Sequence, residues 1–144
     1  MRNNKATANN RGLSLVIILM IFKDYIREIE DFYRNNGVQI DPAPHLRLDR
    51  TEADLFDPFI RTGHYEPQTR TIVLNISNRQ VKDILRSFCH ELIHHHQNIV
   101  ENKFDGVDVS GNLNENKNLE LLEAEAYQMG NIMFRRWTET HRNN

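Results

Sequence analysis

The residues best suited to chemistry form one short segment, His90-Glu91-Leu92-Ile93-His94. If this segment is helical, His90 and His94 project from one face of the helix, roughly 6 Å apart. That separation suits one zinc ion, whose bonds to histidine nitrogens are about 2.0–2.1 Å long. Glu91 lies one step around the helix, within hydrogen-bonding reach of a water on the metal. The pattern therefore predicts two zinc ligands and a general base, against the plainer alternative of a solvated histidine cluster.

A catalytic zinc usually takes three protein ligands and keeps its fourth position for water, so a third ligand must come from elsewhere. The candidates are His141, which lies in the polar C-terminal tail, and two glutamates of a predicted last helix, Glu123 and Glu125. The glutamates are about 200° apart on that helix, so only one of them can face the metal. Helical-wheel counting does not decide between them. His95 and His96 point elsewhere and are interpreted as supporting or surface residues.

The elements that must position these residues can be predicted from hydrophobic periodicity. A helix that ends at Asn36-Gly37 comes first, and the alternating segment His45–Asp49 then predicts a strand. A hairpin is predicted around the turn Glu66-Pro67-Gln68-Thr69, with Thr71–Ile76 as its second strand. That strand is either an exposed edge to which an extended substrate adds or an ordinary core strand.

Two apolar stripes predict the helices around the chemistry. The first stripe runs into the histidines, and the second reaches about Trp137. Their members are Val81, Ile84, Leu85, Phe88, Leu92 and Ile99 for the first, and Leu119, Leu122, Ala126, Met129 and Met133 for the second. Between them, 101–118 is rich in Asn, Asp, Gly and Lys, which predicts a long surface loop.

Size and composition limit the classes of function. A chain of 144 residues fits one domain. Its formal net charge of -2 provides no basic field for a phosphate backbone, so nucleic acid is not an expected partner. The single cysteine, Cys89, cannot form an internal disulfide and is interpreted as buried packing. A cytoplasmic location is compatible with this composition and is the expectation.

The N-terminal residues 1–19 are either an extension or a signal or anchor segment, and the domain is expected over residues 20–144. A polar, basic start precedes the apolar run Leu13–Phe22, as in a signal peptide. However, the run is too short to span a bilayer, which needs about 20 residues, and no small-residue cleavage site follows it. Met20 is an alternative start. Export, or membrane association through residues 13–22, is therefore the less favoured alternative.

The histidine motif followed by a Glu-Ala helix resembles the gluzincin metallopeptidases, the thermolysin-like group, in a minimal phage-type form. The resemblance covers roughly residues 70–137. It implies an α+β, zincin-like fold, with a short antiparallel sheet packed on the active-site helix and a C-terminal helix carrying the third ligand. It also implies Zn²⁺, a protein or peptide substrate, and Glu125 as that ligand, with Glu123 as its rival. The family's aspartate four residues after the ligand is here Met129, so a histidine-orienting partner must come from elsewhere or be absent.

Two other functions remain open at this point. One is a zinc-binding structural domain without turnover, in which the metal only locks two helices together. A closed site of that kind normally has four protein ligands. The other is an interaction module in which the histidines are incidental. The unranked candidates to stabilise an oxyanion are Tyr65, Tyr127, His64 and His95.

Overall fold

The computed structural model describes residues 4–50, 62–107, 109 and 117–142. Within these residues the chain is a small α+β structure, which confirms the predicted class. Three helices and three strands follow one another in the order α1 (Asn4–Asn35), β1 (His45–Asp49), β2 (Gly63–Glu66), β3 (Thr71–Asn75), α2 (Val81–Ile99) and α3 (Lys117–Arg142). In the predicted loop 101–118, residues 108 and 110–116 lie outside the described residues, and the last two positions are already helical.

The sheet has the strand order β1-β3-β2. The predicted hairpin is present, because β2 and β3 pair antiparallel with Gly63 opposite Leu74. β1 pairs parallel with β3, with His45 opposite Thr71, so the sheet is mixed and only the hairpin is antiparallel.

β3 is the central strand of this sheet, so of the two predicted alternatives the core strand is confirmed and the exposed edge is wrong. Its run Ile72-Val73-Leu74 is buried throughout. A continuous apolar run fits a strand that is paired on both sides. The edge next to the histidines is β2 instead.

Helix α2 is the centre of the molecule, since it contacts β2 and β3 of the sheet as well as α1 and α3. The middle of its apolar stripe is buried, with Leu85, Phe88 and Leu92 almost wholly inaccessible, whereas the end residues Val81 and Ile99 are partly buried. The Tyr33 hydroxyl of α1 donates a 2.7 Å hydrogen bond to the Cys89 carbonyl and so joins α1 to α2 beside the histidines. The segment that carries the motif is therefore held on several sides.

Helix α1 ends where the sequence predicted. Gly37 adopts a positive φ of 81°, and the Val38 amide donates back to the Tyr33 carbonyl at 2.9 Å, a common helix ending. Phe22, in the second half of α1, is buried, whereas Val16, six residues earlier, is half exposed. Within the described chain, no helix combines the length and apolar character needed to cross a membrane.

Candidate metal centre

The helix α2 brings the motif residues together as their spacing predicted. One ligand atom from each of His90, Glu91 and His94 lies within 4.8 Å of the others, a grouping that could hold a metal ion. Glu91 and His94 are buried, and His90 is partly accessible. The spacing is that of an HExxH-type cluster, and the three residues line a groove.

The structure places Glu123, and not Glu125, against the two histidines. Glu123 Oε2 lies 3.2 Å from His90 Nε2, and its Oε1 lies 2.6 Å from His94 Nε2. The carboxylate of Glu125 instead meets the Gln97 amide at 3.0 Å. The expectation that Glu125 approaches the metal site is thus corrected. The two glutamates diverge as their 200° separation requires, and α3 turns the Glu123 side toward α2.

A close approach of the two helices explains this orientation of α3. Gly130 is buried, and a Cβ added to it would lie only 2.9 Å from the His90 Cα atom. Glu123 precedes Gly130 by seven residues, nearly two full turns, so the two lie on one face of the helix. The sequence signal that could have selected Glu123 is therefore the glycine within the last helix, which marks the face of closest contact.

The chemistry of the Glu123–His94 contact fits a cation between the two side chains. His94 Nδ1 donates to the Gln97 amide oxygen at 2.8 Å, so Nδ1 carries a hydrogen and Nε2 of the neutral ring offers a lone pair. That Nε2 atom is buried, and its approach to Glu123 lacks the alignment of a hydrogen bond. Two facing acceptors repel unless a proton or a metal ion lies between them. The donor set of two imidazoles and one carboxylate is one that zinc accepts.

The electrostatics of the site show the same coupling. Burial disfavours the ionised form of Glu123, but the contacts with His90 and His94 outweigh burial and lower the pKa of Glu123 to about 2. Burial also disfavours the charged form of His94, yet contact with Glu123 and the nearby charge of Glu91 raise its pKa above the ordinary value. The site therefore favours a carboxylate facing positive charge.

Gln97 is a site residue that the sequence reasoning missed. It is fully buried, and its amide nitrogen donates to the Leu122 carbonyl at 3.1 Å and to Glu125 Oε1 at 3.0 Å. Both of these partners accept only, so the amide oxygen must be the atom that faces His94. The available signal was its position three residues after His94, on the same side of α2. Gln97 thus supplies the histidine-orienting partner for which no aspartate was found, and Glu125 supports it.

The His95 ring and the Tyr65 hydroxyl form a hydrogen bond with each other rather than with His90, Glu91 or His94. His95 Nε2 lies 3.0 Å and 2.8 Å from the carbonyls of Ile40 and Pro42, so Nε2 carries the hydrogen. Its Nδ1 then accepts from the Tyr65 hydroxyl at 2.8 Å, whose oxygen accepts from Asn98 at 3.0 Å. Burial lowers the pKa of His95. The hydrogen bonds of His95 to these two carbonyls hold the loop before β1 against α2.

Three other side chains of types that can bind a metal, those of His96, His141 and Cys89, have different surroundings. His96 bonds the Gln39 carbonyl and contacts Glu101. His141 stacks on the Trp137 ring near the far end of α3. Cys89 is buried in the core, and burial raises the pKa of its thiol to about 12, consistent with packing rather than ligation.

The cluster lies in a groove of about 880 Å³ formed by β2, α2, α3 and the segment after α2. The β2 strand forms one wall, and its second edge pairs with no strand in the described ranges. Gly63 of β2 stands next to the chemistry, since a Cβ there would lie 3.7 Å from Glu91 Cγ. His64 and Tyr127 also line the groove, and the Tyr127 ring packs edge-on against His90 with centroids 4.5 Å apart.

Comparison with protein-family models, curated proteins and solved structures returned no match to this chain.

Proposed function

We propose that this protein is a zinc-dependent metallopeptidase of the gluzincin type, in which His90, His94 and Glu123 hold the metal and Glu91 is the general base. The observation that carries the proposal is the convergence of these four side chains in the lining of an open groove. Three protein ligands with a fourth position left open is the arrangement of catalytic zinc. One departure from the resembled pattern is that Tyr127 stands four residues after Glu123, where the family has aspartate.

Bound zinc would lower the pKa of water toward about 7 and polarise the substrate carbonyl. Glu91 adjoins both histidines and is only 6% exposed, so its carboxylate can accept the proton of the attacking water at short range. The same carboxylate then delivers that proton to the leaving amine. Gln97 keeps a hydrogen on His94 Nδ1, which leaves His94 Nε2 free to act as a ligand.

The negative charge that develops on the carbonyl oxygen needs a hydrogen-bond donor. Of the four candidates named from the sequence, His95 and Tyr65 already use their hydrogens in buried contacts. Tyr127 and His64 remain at the groove. His64 donates to Glu66 at 3.2 Å, whereas Tyr127 is 62% exposed beside His90. Tyr127 is therefore the preferred donor.

The edge of β2 offers a way to position an extended peptide. Thr62 accepts a hydrogen bond from the Asn75 amide, so alternation along the antiparallel pair directs the backbone groups of Gly63 and Tyr65 away from β3. Gly63 also lies beside Glu91. A peptide that adds to this edge would place its backbone next to the general base, by the mode known as β-augmentation.

A structural zinc site without turnover is the rival function. Such a site needs a fourth protein ligand to exclude water. Among the described residues, Cys89 is buried in the core and His141 lies at the far end of α3. The open groove and the position of Glu91 favour hydrolysis.

The test is peptide hydrolysis by metal-free protein, by zinc-reconstituted protein and by a Glu91→Gln variant. We expect turnover only in the zinc-loaded parent, and a loss of turnover in Glu91→Gln with its zinc content unchanged. A Glu91→Gln variant as active as the parent would refute the assigned role of Glu91. Zinc binding without turnover against a broad peptide mixture would favour the structural function.

A further inference from the structure

The two ends of the groove differ in chemistry. At the end nearest the start of α2, the lining includes Arg86, Ser87 and Asn131. At the opposite end, it includes Phe104 and Val107 from the segment after α2. The metal-binding cluster lies between these two ends, because Arg86 precedes His90 by one turn of α2 and the Phe104 ring packs on His94 with centroids 5.6 Å apart.

The strand β2 runs along the groove in the same direction as α2. At its beginning, Thr62 accepts a 3.0 Å hydrogen bond from Arg79, just before α2 starts. At its other end, the Tyr65 hydroxyl bonds Asn98 near the end of α2. Antiparallel pairing is the more stable arrangement per residue. A substrate paired antiparallel to β2 therefore has its C-terminal part at the Arg86 end and its N-terminal part at the Phe104 end.

Arg86 is placed to receive a negative group. Its guanidinium lies 5.2 Å above the centre of the Phe134 ring and contacts Asp83 at 3.3 Å, so the side chain is supported while 46% of it remains exposed. One such contact leaves most of its five N–H donors available. In the described lining, the carboxylates are those of the metal cluster and Glu66, and Glu66 pairs with His64 on β2. Within the described lining, Arg86 is therefore the cationic side chain at this end, and its ion-pair partner Asp83 is not among the lining residues.

The distance between Arg86 and His90 along α2 indicates where in the substrate a carboxylate that binds Arg86 would lie. Four residues separate Arg86 from His90, which corresponds to about 6 Å of helix rise. An extended peptide advances about 3.4 Å per residue. A carboxylate opposite Arg86 therefore belongs one or two residues after the scissile bond.

The opposite end combines an apolar wall with the polar turn residues Gln68 and Thr69. Phe104 is only 8% exposed and packs between His94 and Tyr65, with centroid distances of 5.6 Å and 5.9 Å. Val107 and Pro67 extend this lining. The wall is suited to an apolar side chain on the N-terminal side of the scissile bond, where burial against Phe104 would stabilise the complex.

We infer that the substrates are peptides with an apolar residue before the scissile bond and a carboxylate within two residues after it, recognised by Arg86. This inference rests on the proposed peptidase function. The carboxylate has two sources, an aspartate or glutamate side chain and the free C-terminus of the substrate.

The experiment uses quenched fluorescent peptides that share a leucine before the intended scissile bond. Three of them carry Glu, Gln or Lys two residues after that bond, and two more end there as a free acid or an amide. We expect kcat/KM at least fivefold higher for Glu than for Lys in the zinc-loaded parent. A preference for free acid over amide would identify the C-terminus as a source, and a preference among the internal peptides would identify the side chain.

Arg86→Glu should reverse the preference so that the Lys peptide becomes the better substrate. The matched control is Lys82→Glu, the same charge change one turn earlier on α2 at an exposed residue outside the groove lining. The Lys82→Glu variant should keep the parent's preference for the Glu peptide over the Lys peptide. Equal hydrolysis of all peptides, or an equal change in both variants, would overturn the recognition by Arg86 while leaving the peptidase function standing.

If no peptide is hydrolysed at all, the peptidase function fails. Peptide binding then still tests whether Arg86 recognises a carboxylate. Fluorescence anisotropy with Glu91→Gln protein then compares the Glu and Lys peptides. Tighter binding of the Glu peptide that is lost with Arg86→Glu supports the carboxylate site. Equal binding of both peptides overturns it.

Discussion

Replacement of Gly130 by alanine tests the contact that brings Glu123 to the histidines. In an exposed helix this change would stabilise the protein by up to about 1 kcal/mol. Here the new Cβ would lie 2.9 Å from His90 Cα and 3.1 Å from His90 N. The shorter distance is half an ångström less than the 3.4 Å at which ordinary contact begins. Both atoms belong to backbone, so no side-chain rotation relieves the overlap.

The two helices must therefore move apart. Overpacking of this kind costs about 1–3 kcal/mol, and a backbone contact lies toward the upper end of that range. After the gain in helix propensity, we expect Gly130→Ala to lower the free energy of unfolding by about 1–2 kcal/mol. For a domain of this size that loss lowers Tm by roughly 3–7 °C.

Zinc affinity gives a second measurement on the same variant. Glu123 lies on the same face of α3, so its carboxylate moves away from the histidines when the helices separate. We expect at least a tenfold weaker Kd for zinc, within the roughly 10–100-fold range seen when supporting residues of a metal site are changed. Thermal unfolding and competition with a chromophoric chelator measure the two effects.

Ala124→Gly is the control for the propensity contribution, because Ala124 is exposed on the same helix. It should cost about 1 kcal/mol of stability from propensity alone. A Gly130→Ala protein that melts at or above the parent's Tm and binds zinc equally well would refute the close packing of α3 on α2.

Further predictions concern the supporting residues. Gln97→Met should weaken zinc binding about 10–100-fold in the chelator competition, whereas Gln128→Met at an exposed site of α3 should not change it. Cys89, with its pKa raised to about 12 by burial, should resist alkylation by iodoacetamide in the folded protein at pH 8 and react fully in denaturant. Rapid alkylation of the folded protein would contradict that burial. Tyr127→Phe should lower kcat by about 10²–10³ at unchanged zinc content, and an unaltered kcat would exclude its hydroxyl as the oxyanion donor.

The sequence predicted those parts of the fold that depend on local periodicity. The stripe from Val81 to Ile99 and the turn at Pro67 each specify one element, and the structure contains both. The parallel pairing of β1 with β3 could not be predicted in the same way, because it joins segments far apart in sequence. β3 was ambiguous between edge and centre for the same reason, although its continuous apolar run was a sign of the central position.

The candidate metal centre shows the same division between local and non-local information. His90, Glu91 and His94 lie on one helix, so their spacing was enough to predict their meeting. The choice between Glu123 and Glu125 depends on the rotation of α3 against α2, which is set by a contact between helices rather than by either helix alone. The resemblance to the gluzincins favoured Glu125, which the structure places against Gln97.

The most direct test of the account is the zinc content of purified, zinc-supplied protein by elemental analysis. The parent should hold one zinc per chain, and so should Glu120→Ala, the control at an exposed glutamate of α3. Glu123→Ala should lose the metal. A parent without zinc, or a Glu123→Ala variant that binds zinc as tightly as Glu120→Ala does, would contradict the proposed metal centre.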